Sequence, residues 1–402
     1  MAEQGKPDPG PVLDLLNAFR RSAVLFSTVD LGVFEALAAS GNGCLTIEQL
    51  GDALRLRGPR AEGVSADGLD RLCRAAVGLG LLDCPSPSSY SLTPVSAAYL
   101  VSASPDALTG YCTHSQQVVW PLFSGLPAAV TTGSNVWRQQ FGQPGADVFA
   151  RIYSTPPDVL RFMRGMYSFS TLSAPSVVRV FDLAQHLSRG GGAGGGGGGG
   201  GQLQDSGAGD ADGAASGGGG AGGGGAILLD LGGATGALAA AACAAYPACV
   251  LREAVVVDLP HVVAQAEAHF APPPGGPCEG RLRWLAADFF EERDKLPQQV
   301  DLVILSRIIH DWDDARCVQL LRLAHRLLRP GGAVLLAEML LRPDRLGPPA
   351  ALLQDLNMLC QTHGRERSAE EYGGMLAAAG FVGAEGRTTG SYLDAVLAVK
   401  PL

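Results

Sequence analysis

The sequence predicts a doubly wound α/β domain in its C-terminal half, preceded by an α-helical, winged-helix-like N-terminal domain. Three observations predict it. After residue 226, short unbroken apolar runs alternate with helical segments, the pattern of a parallel sheet covered on both faces. Before residue 110, apolar residues recur three or four apart and end in a small hairpin signal. Between them lies a segment of almost pure Gly, Ala and Ser, Gly190 to Gly225, which divides the chain.

Composition limits the function classes. Of 402 residues, 47% are hydrophobic and 17% charged, the balance of a globular protein, so disorder throughout is excluded. The formal net charge of -9, with 30 Lys+Arg against 39 Asp+Glu, leaves no basic surplus to neutralise a phosphate backbone, so no nucleic-acid partner is expected. No stretch reaches the roughly 18 uncharged apolar residues of a membrane span. The polar, Pro/Gly-rich start from Met1 to Gly10 does not resemble a secretion signal. The nine cysteines include no pair at the two-residue gap of metal or redox sites, and their number is odd. Free buried thiols in a reducing, cytoplasmic setting are the expectation, with no disulfide framework.

The elements follow in chain order. Val12, Leu15, Leu16, Phe19, Val24, Leu25, Leu31, Phe34 and Leu37 place two helical stretches between Val12 and Leu37. Thr46 with Gln49 forms a capping-box signature opening a helix from Ile47 to Leu54. Ser65 caps a further amphipathic helix over Leu69 to Leu82, Pro85 to Ser89 turns into Tyr90 and Leu92, and a last helix follows near Val95 to Leu100. With a negative chain, such a module suits subunit pairing better than DNA. A homodimer is expected, with the surplus apolar surface placed at Val24 to Leu37. Residues 1–110 form this domain, and 111–189 a helical connection carrying Trp120, Phe123, Trp137, Phe141, Phe149, Tyr153, Phe162, Tyr167 and Phe169. Residues 190–225 are a flexible insertion unable to bury enough apolar surface to offset ordering entropy. Residues 226–402 are the catalytic domain, with strands at Ile227 to Leu229, Val255 to Val257, Leu302 to Leu305 and Val334 to Ala337, and helices such as Leu238 to Ala245 and Cys317 to Leu328.

The first of those strands ends in Asp230-Leu231-Gly232-Gly233-Ala234-Thr235-Gly236, a turn whose glycines let backbone approach a ligand at the carboxyl edge of a sheet. Asp258 ends the second strand, where a carboxylate can accept from both hydroxyls of a ribose. The dinucleotide fingerprint requires glycine at its first, third and sixth positions, and counting from Gly232 those are Gly232, Ala234 and Ala237. A nicotinamide fold is therefore disfavoured. An acid ahead of Gly-Gly-x-x-Gly resembles instead the first motif of class I methyltransferases, with Asp230 and Gly232 facing the amino-acid part of S-adenosylmethionine. Asp288 beside Phe289 is suited to bond and cover an adenine. The strand at Leu302 to Leu305 runs into Ser306-Arg307-Ile308-Ile309-His310-Asp311-Trp312, which puts an imidazole at the chemical edge of the fold.

Further motifs extend that likeness: Val257-Asp258-Leu259-Pro260, Asp288-Phe289-Phe290, His310-Asp311-Trp312, Arg329-Pro330-Gly331-Gly332, Leu356-Asn357-Met358-Leu359, Gly364-Arg365-Glu366-Arg367 and Thr389 to Ala395. The chain resembles the plant-type small-molecule O-methyltransferases, a family that includes the vertebrate acetylserotonin enzymes, over nearly all its length outside the glycine insertion. The resemblance implies a class I methyltransferase, Rossmann-like sheet and S-adenosyl-L-methionine as cofactor. It makes His310 the general base, with Glu338 and Glu366 the acids that flank and orient it. Asp258, Leu259, Asp288, Phe289, Arg307 and Tyr153 would join Asp230 and Gly232 around the cofactor. Asp311, Asn357 and Gln361 would line the substrate pocket. The last motifs point towards methylation of the hydroxyl of N-acetylserotonin; another phenol, of the caffeic acid or flavonoid type, and a catalytically inactive cofactor-binding protein are the alternatives. No metal is implied, because a sulfonium already activates its methyl group. The residue chemistry agrees: a phenol of pKa near 10 is a poor nucleophile at neutral pH, and a positioned imidazole relieves it of its proton. Asp311 also fits a helix cap beside Trp312. Ala234 and Ala287 stand where relatives carry glycine, and Ser170 where the vertebrate enzyme has a tryptophan on the cofactor.

Overall fold

Consecutive residues of a strand point to opposite faces, so a strand covered on both sides must be apolar at every position. The β4 strand, Ala226–Leu231, shows this: Leu229 and Leu231 enter one core cluster and Ala226 and Leu228 the other. The computed structural model describes residues 7–41, 43–57, 63–142, 155–187 and 225–402. The expected insertion from Gly190, apart from Gly225, therefore lies outside the described residues, as do Phe149 and Tyr153.

The N-terminal elements are α1 (Gly10–Asp30), α2 (Val33–Ala38), β1 (Cys44–Thr46), α3 (Ile47–Arg55), α4 (Ala66–Gly78), β2 (Leu82–Ser86), β3 (Ser89–Leu92) and α5 (Pro94–Tyr99). The Thr46 hydroxyl accepts from the Gln49 amide and the Gln49 side chain accepts from the Thr46 amide, the capping box expected of that pair. Ser65 caps α4 as predicted, but the helix stops at Gly78 and Leu82 opens β2 instead of closing the helix. Gly80, with φ of 71°, reverses the chain there, a conformation that costs glycine little. The three strands pair antiparallel in the order β1-β3-β2. Val33, Phe34, Leu37, Leu50, Leu54 and Tyr90 are buried within this domain. Of the segment Val24 to Leu37 expected to pair subunits, Val33, Phe34 and Leu37 are buried here, whereas Val24, Leu25, Phe26, Val29 and Leu31 are only partly buried. What α1 leaves exposed is Val12, Leu13, Leu15, Leu16 and Phe19, at 52% to 76% exposure.

A connecting layer follows: α6 (Thr109–His114), a π-helical turn at Ser115–Val119, α7 (Trp120–Ser124), α8 (Leu126–Thr132), α9 (Trp137–Phe141), α10 (Pro156–Val177) and α11 (Ala184–Leu187). Then come α12 (Ala237–Ala245), β5 (Leu251–Asp258), α13 (Pro260–His269), β6 (Leu282–Ala286), β7 (Val300–Ser306), α14 (Asp314–Leu327), β8 (Leu328–Glu338), α15 (Pro349–Gln361), α16 (Ala369–Ala378), β9 (Val382–Arg387) and β10 (Asp394–Val399). The seven-stranded sheet has the order β6-β5-β4-β7-β8-β10-β9, parallel except that β10 runs antiparallel to both of its neighbours. All four predicted strands are present. Three strands were not predicted: β6, whose run Arg283 interrupts near its start, the exposed edge strand β9, and β10, which is apolar from Ala395 to Val399. Leu328 belongs to β8 rather than to the preceding helix.

Arg329 of the Arg-Pro-Gly-Gly motif bonds buried Asp301 at 2.5 Å and the carbonyl of His186 at 3.0 Å, joining the connecting layer to the sheet. The nine cysteines are free. Cys84 and Cys249 are exposed, against the expectation that the thiols are buried. Among the described residues, no helix is long and apolar enough to cross a membrane.

Candidate active site

At the carboxyl edge of the sheet, Asp230 leaves β4 and Gly232 turns the chain with φ of 72°. A Cβ on Gly232 would lie 2.6 Å from Ile308 Cδ1, so only glycine lets this turn close. Ala234 holds a left-handed φ of 43°, and its amide donates to Asp258 Oδ2 at 3.0 Å while the Leu259 amide donates to Oδ1 at 2.8 Å. Burial raises the Asp258 carboxyl to about 6 against the lowering effect of these two amides. Burial, reinforced by the charge of Asp258, raises Asp230 to about 7, and its Oδ1 has no hydrogen-bond partner. Arg307 also takes a left-handed φ, of 54°, a strained conformation for a long side chain. Its guanidinium lies 4.6 Å over the Phe169 ring, and its buried Nη1 is unpartnered.

These groups line one cavity of about 290 Å³, together with Leu259, Asp288, Phe289, His310, Asp311, Asn357 and Gln361. The cavity therefore collects eleven of the fourteen predicted site residues; Glu338 and Glu366 stand behind His310, and Tyr153 lies outside the described residues. Ser170 lines the cavity too. Asp288 Oδ1 accepts from the amides of Phe290 at 2.8 Å and Glu291 at 3.3 Å, which fixes the turn that presents Phe289. Gln361 donates to Asn357 Oδ1 at 2.5 Å. Asp311 does not cap the following helix: that cap is Asp313, which accepts from the Arg316 amide at 2.9 Å.

His310 is buried on a single helical turn beyond β7. Glu366 Oε1 lies 2.6 Å from its Nδ1 and Glu338 Oε2 3.5 Å, while Asp311 Oδ1 is 3.8 Å from Nε2. Burial by itself opposes the imidazolium, but Glu338, Glu366 and Asp311 outweigh it and hold the ring at about 9. Burial raises Glu338 to about 7 and Asp311 to about 6, in each case against the attraction of His310. Glu338 Oε1 accepts from the amides of Ile308 at 3.2 Å and Ile309 at 2.9 Å, so the same carboxylate holds the backbone that carries the histidine. The donor atoms of His310, Glu338 and Glu366 lie within 4.8 Å of one another, a spacing that also suits a cation. Nδ1 stands at hydrogen-bond distance from one carboxylate, and the other carboxylate accepts backbone amides.

The Gly364-Arg365-Glu366-Arg367 motif has a mechanical explanation. A Cβ on Gly364 would fall 1.9 Å from the carbonyl oxygen of His310, so the two segments lie in backbone contact. Arg367, fully buried, donates to the carbonyls of Ile309 at 3.3 Å and Trp312 at 3.0 Å and pairs with Asp314 at 2.7 Å. Glu366 is thereby held against the ring from a point 56 residues further along the chain. Sequence reasoning singled out neither His114 nor Thr362, both buried polar residues of the cavity; the polar run Thr113 to Gln117 around His114 carries no motif.

Comparison with known proteins agrees with this geometry. Residues 224–382 match the O-methyltransferase domain and residues 13–102 the O-methyltransferase dimerisation domain. The acetylserotonin O-methyltransferase of Gallus gallus is 34% identical over 395 residues, 98% of this chain and 97% of the relative. That of Bos taurus is 34% identical over 96% of this chain and 95% of its own. The crystal structure of human N-acetylserotonin methyltransferase in complex with SAM superposes with a TM-score of 0.81 at 30% identity, covering 100% of both chains. PigF with SAH, at 22% identity and a TM-score of 0.74, shares the fold. A sheet of this order, a glycine turn facing a buried acid, and relatives aligned from end to end lead to one conclusion: the chain belongs to the acetylserotonin O-methyltransferase family of S-adenosylmethionine-dependent O-methyltransferases.

Proposed function

We propose that the protein transfers the methyl group of S-adenosylmethionine to the hydroxyl of N-acetylserotonin, with His310 as general base. The observation that carries this reading is the 2.6 Å contact between Glu366 and Nδ1, on an imidazole whose other nitrogen lies on the side of Asp311 in the cavity. A proton on Nδ1 is accepted by Glu366, which leaves Nε2 as the lone pair for the phenolic proton. As the ring becomes an imidazolium, Glu338 and Glu366 stabilise it.

The residues present fit the cofactor. Each oxygen of Asp258 accepts one backbone amide and keeps a lone pair for a ribose hydroxyl. Unpartnered Arg307 Nη1 suits a carboxylate, and unpartnered Asp230 Oδ1 suits an ammonium, with Gly232 leaving room between them. Leu259, Phe289 and Asp288 are placed for the adenosine end, and Tyr153 is retained as a cofactor contact by resemblance. Bound S-adenosylmethionine supplies a methyl group already activated by its sulfonium. The protein's own part is to align the hydroxyl, exclude water and hold the proton acceptor. Asp311, Asn357 and Gln361 line the cavity on the side of His310 as acceptor contacts. Incubation with labelled cofactor should transfer label to N-acetylserotonin; transfer to caffeic acid or a flavonoid without transfer to N-acetylserotonin overturns the acceptor.

Because the acids hold the His310 proton to about 9, the base is neutral only as pH rises. The acid limb of kcat/KM for the cofactor should therefore lie above the ordinary histidine value of about 6.5. Glu366→Gln removes a negative charge from Nδ1 and so weakens the hold on that proton. Its limb should move to lower pH while the plateau falls. A limb that stays in place or moves up contradicts the assigned role.

Residues 1–110 serve subunit pairing and 226–402 catalysis in this reading, and the assembly is a cytoplasmic homodimer. The stripe of Val12, Leu15, Leu16 and Phe19, spaced one helical face apart and more than half exposed, supports a second copy as the partner. Leu15→Asp with Leu16→Asp should convert a dimer into a monomer in light scattering at micromolar concentration. A dimer persisting in the double variant shows that another face pairs the subunits.

A further inference from the structure

His114 is the one buried histidine of the cavity with no place in the mechanism above. It comes from the connecting layer, at the end of α6. Two glycines bring it there. A Cβ on Gly110 would lie 2.5 Å from the Arg164 carbonyl oxygen, and one on Gly165 2.9 Å from His114 Cβ, so α6 and α10 cross at backbone contact. The helix then widens into the π turn at Ser115–Val119, a local rearrangement often found at functional sites. It puts both His114 and Val119 on the cavity wall. The imidazole packs edge-on against Phe162, with centroids 5.6 Å apart. Among the described residues, its recorded interactions are this ring contact and the fields of Arg307 and Arg161.

An imidazole kept out of water without a carboxylate partner is neutral: burial, with Arg307 and Arg161, pushes His114 down to about 4. A neutral ring offers one donor and one acceptor. The positive surroundings disfavour a second cation, so the ligand group that suits this wall is polar and uncharged. An acceptor with its hydroxyl at His310 has to place its remaining polar group elsewhere in the cavity, whose wall His114 lines.

We propose that His114 recognises the neutral amide arm of the acceptor by a hydrogen bond and so selects acylated hydroxyindoles. This rests on the acceptor reading above and extends it to one residue. His114→Phe keeps the ring against Phe162 and removes both nitrogens. The expected result is a KM for N-acetylserotonin raised about tenfold, the effect of one lost hydrogen bond. Its kcat should stay within about twofold, and KM for 5-hydroxyindole, which lacks the arm, should be unchanged. His114→Gln should recover part of the loss, and His114→Leu carries the comparison if the Phe variant does not fold. Calorimetric affinity for S-adenosylhomocysteine serves as the control and should match the wild type.

An equal rise for both acceptors, no rise for either, or weakened binding of S-adenosylhomocysteine overturns the proposal. If the wild type methylates other phenols but not N-acetylserotonin, the acceptor reading itself fails. The same variant is then compared on amide-tailed and tail-less forms of the phenol it accepts, where an unchanged ratio overturns the role of His114.

Discussion

His310→Ala should lower kcat by roughly two to four orders of magnitude, the usual contribution of a positioned general base. Affinity for S-adenosylmethionine should stay within about twofold of wild type. The two readouts separate because different side chains carry them: Asp230 and Asp258 end β4 and β5, whereas His310 follows β7 and meets Glu338 and Glu366. The loss should shrink at high pH, where the phenol ionises near pH 10 without help. A variant that keeps more than a tenth of wild-type turnover at neutral pH would remove His310 from the chemistry.

Gly364→Ala is expected to have the second-largest effect, and for a different reason. The added methyl would meet the His310 carbonyl oxygen at 1.9 Å, the Asp311 carbonyl carbon at 2.5 Å and the Trp312 nitrogen at 2.6 Å. All three are backbone atoms, so no rotamer change relieves the overlap. The segment carrying Glu366 and Arg367 has to move away from the loop carrying His310, or the loop has to move. Overpacking of this kind costs about 1–3 kcal/mol, and a main-chain clash belongs at or beyond the upper end. Thermal melting should show the loss of stability. The kinetics should show a fall in kcat at least as large as that of Glu366→Gln, because the carboxylate is displaced from Nδ1 in one and loses its charge in the other. Stability and turnover near wild type would mean that the two segments are not in contact in solution.

Much of the catalytic half was legible in the sequence because its signals are local. A buried parallel strand is apolar at every position, and a strand-end acid followed by glycines marks a ligand edge within a few residues. The strands at 226–231, 251–258, 300–306 and 328–338 were found in this way. β6, β9 and β10 were not: Arg283 interrupts the first, exposure on every residue hides the second, and the third, though apolar from Ala395 to Val399, was not assigned. In the N-terminal domain the caps at Thr46 and Ser65 were readable, but helix and strand merge in the apolar run from Leu79 to Leu82, and the end of α4 was placed too late. The segment Val24 to Leu37 proves partly to fully buried and the more exposed apolar residues are Val12 to Phe19, because amphipathicity shows that a face is apolar but not what covers it.

Within the site, the sequence by itself determined that an acid ends each of the first two strands, that a glycine turn joins strand to helix, and that an imidazole follows the strand at Leu302 to Leu305. The acids beside that imidazole came from resemblance, since nothing in the spacing of Glu338 or Glu366 relates them to it. Only the tertiary structure decided that Glu366 reaches Nδ1 across 56 residues, that Gly364 and Arg367 hold it there, and that His114 enters the cavity where two glycines let helices touch. The physical reason is common to all three. Strand edges, caps and turns are set by neighbours along the chain, whereas hydrogen-bond distance and backbone contact between distant segments exist only once the core has packed.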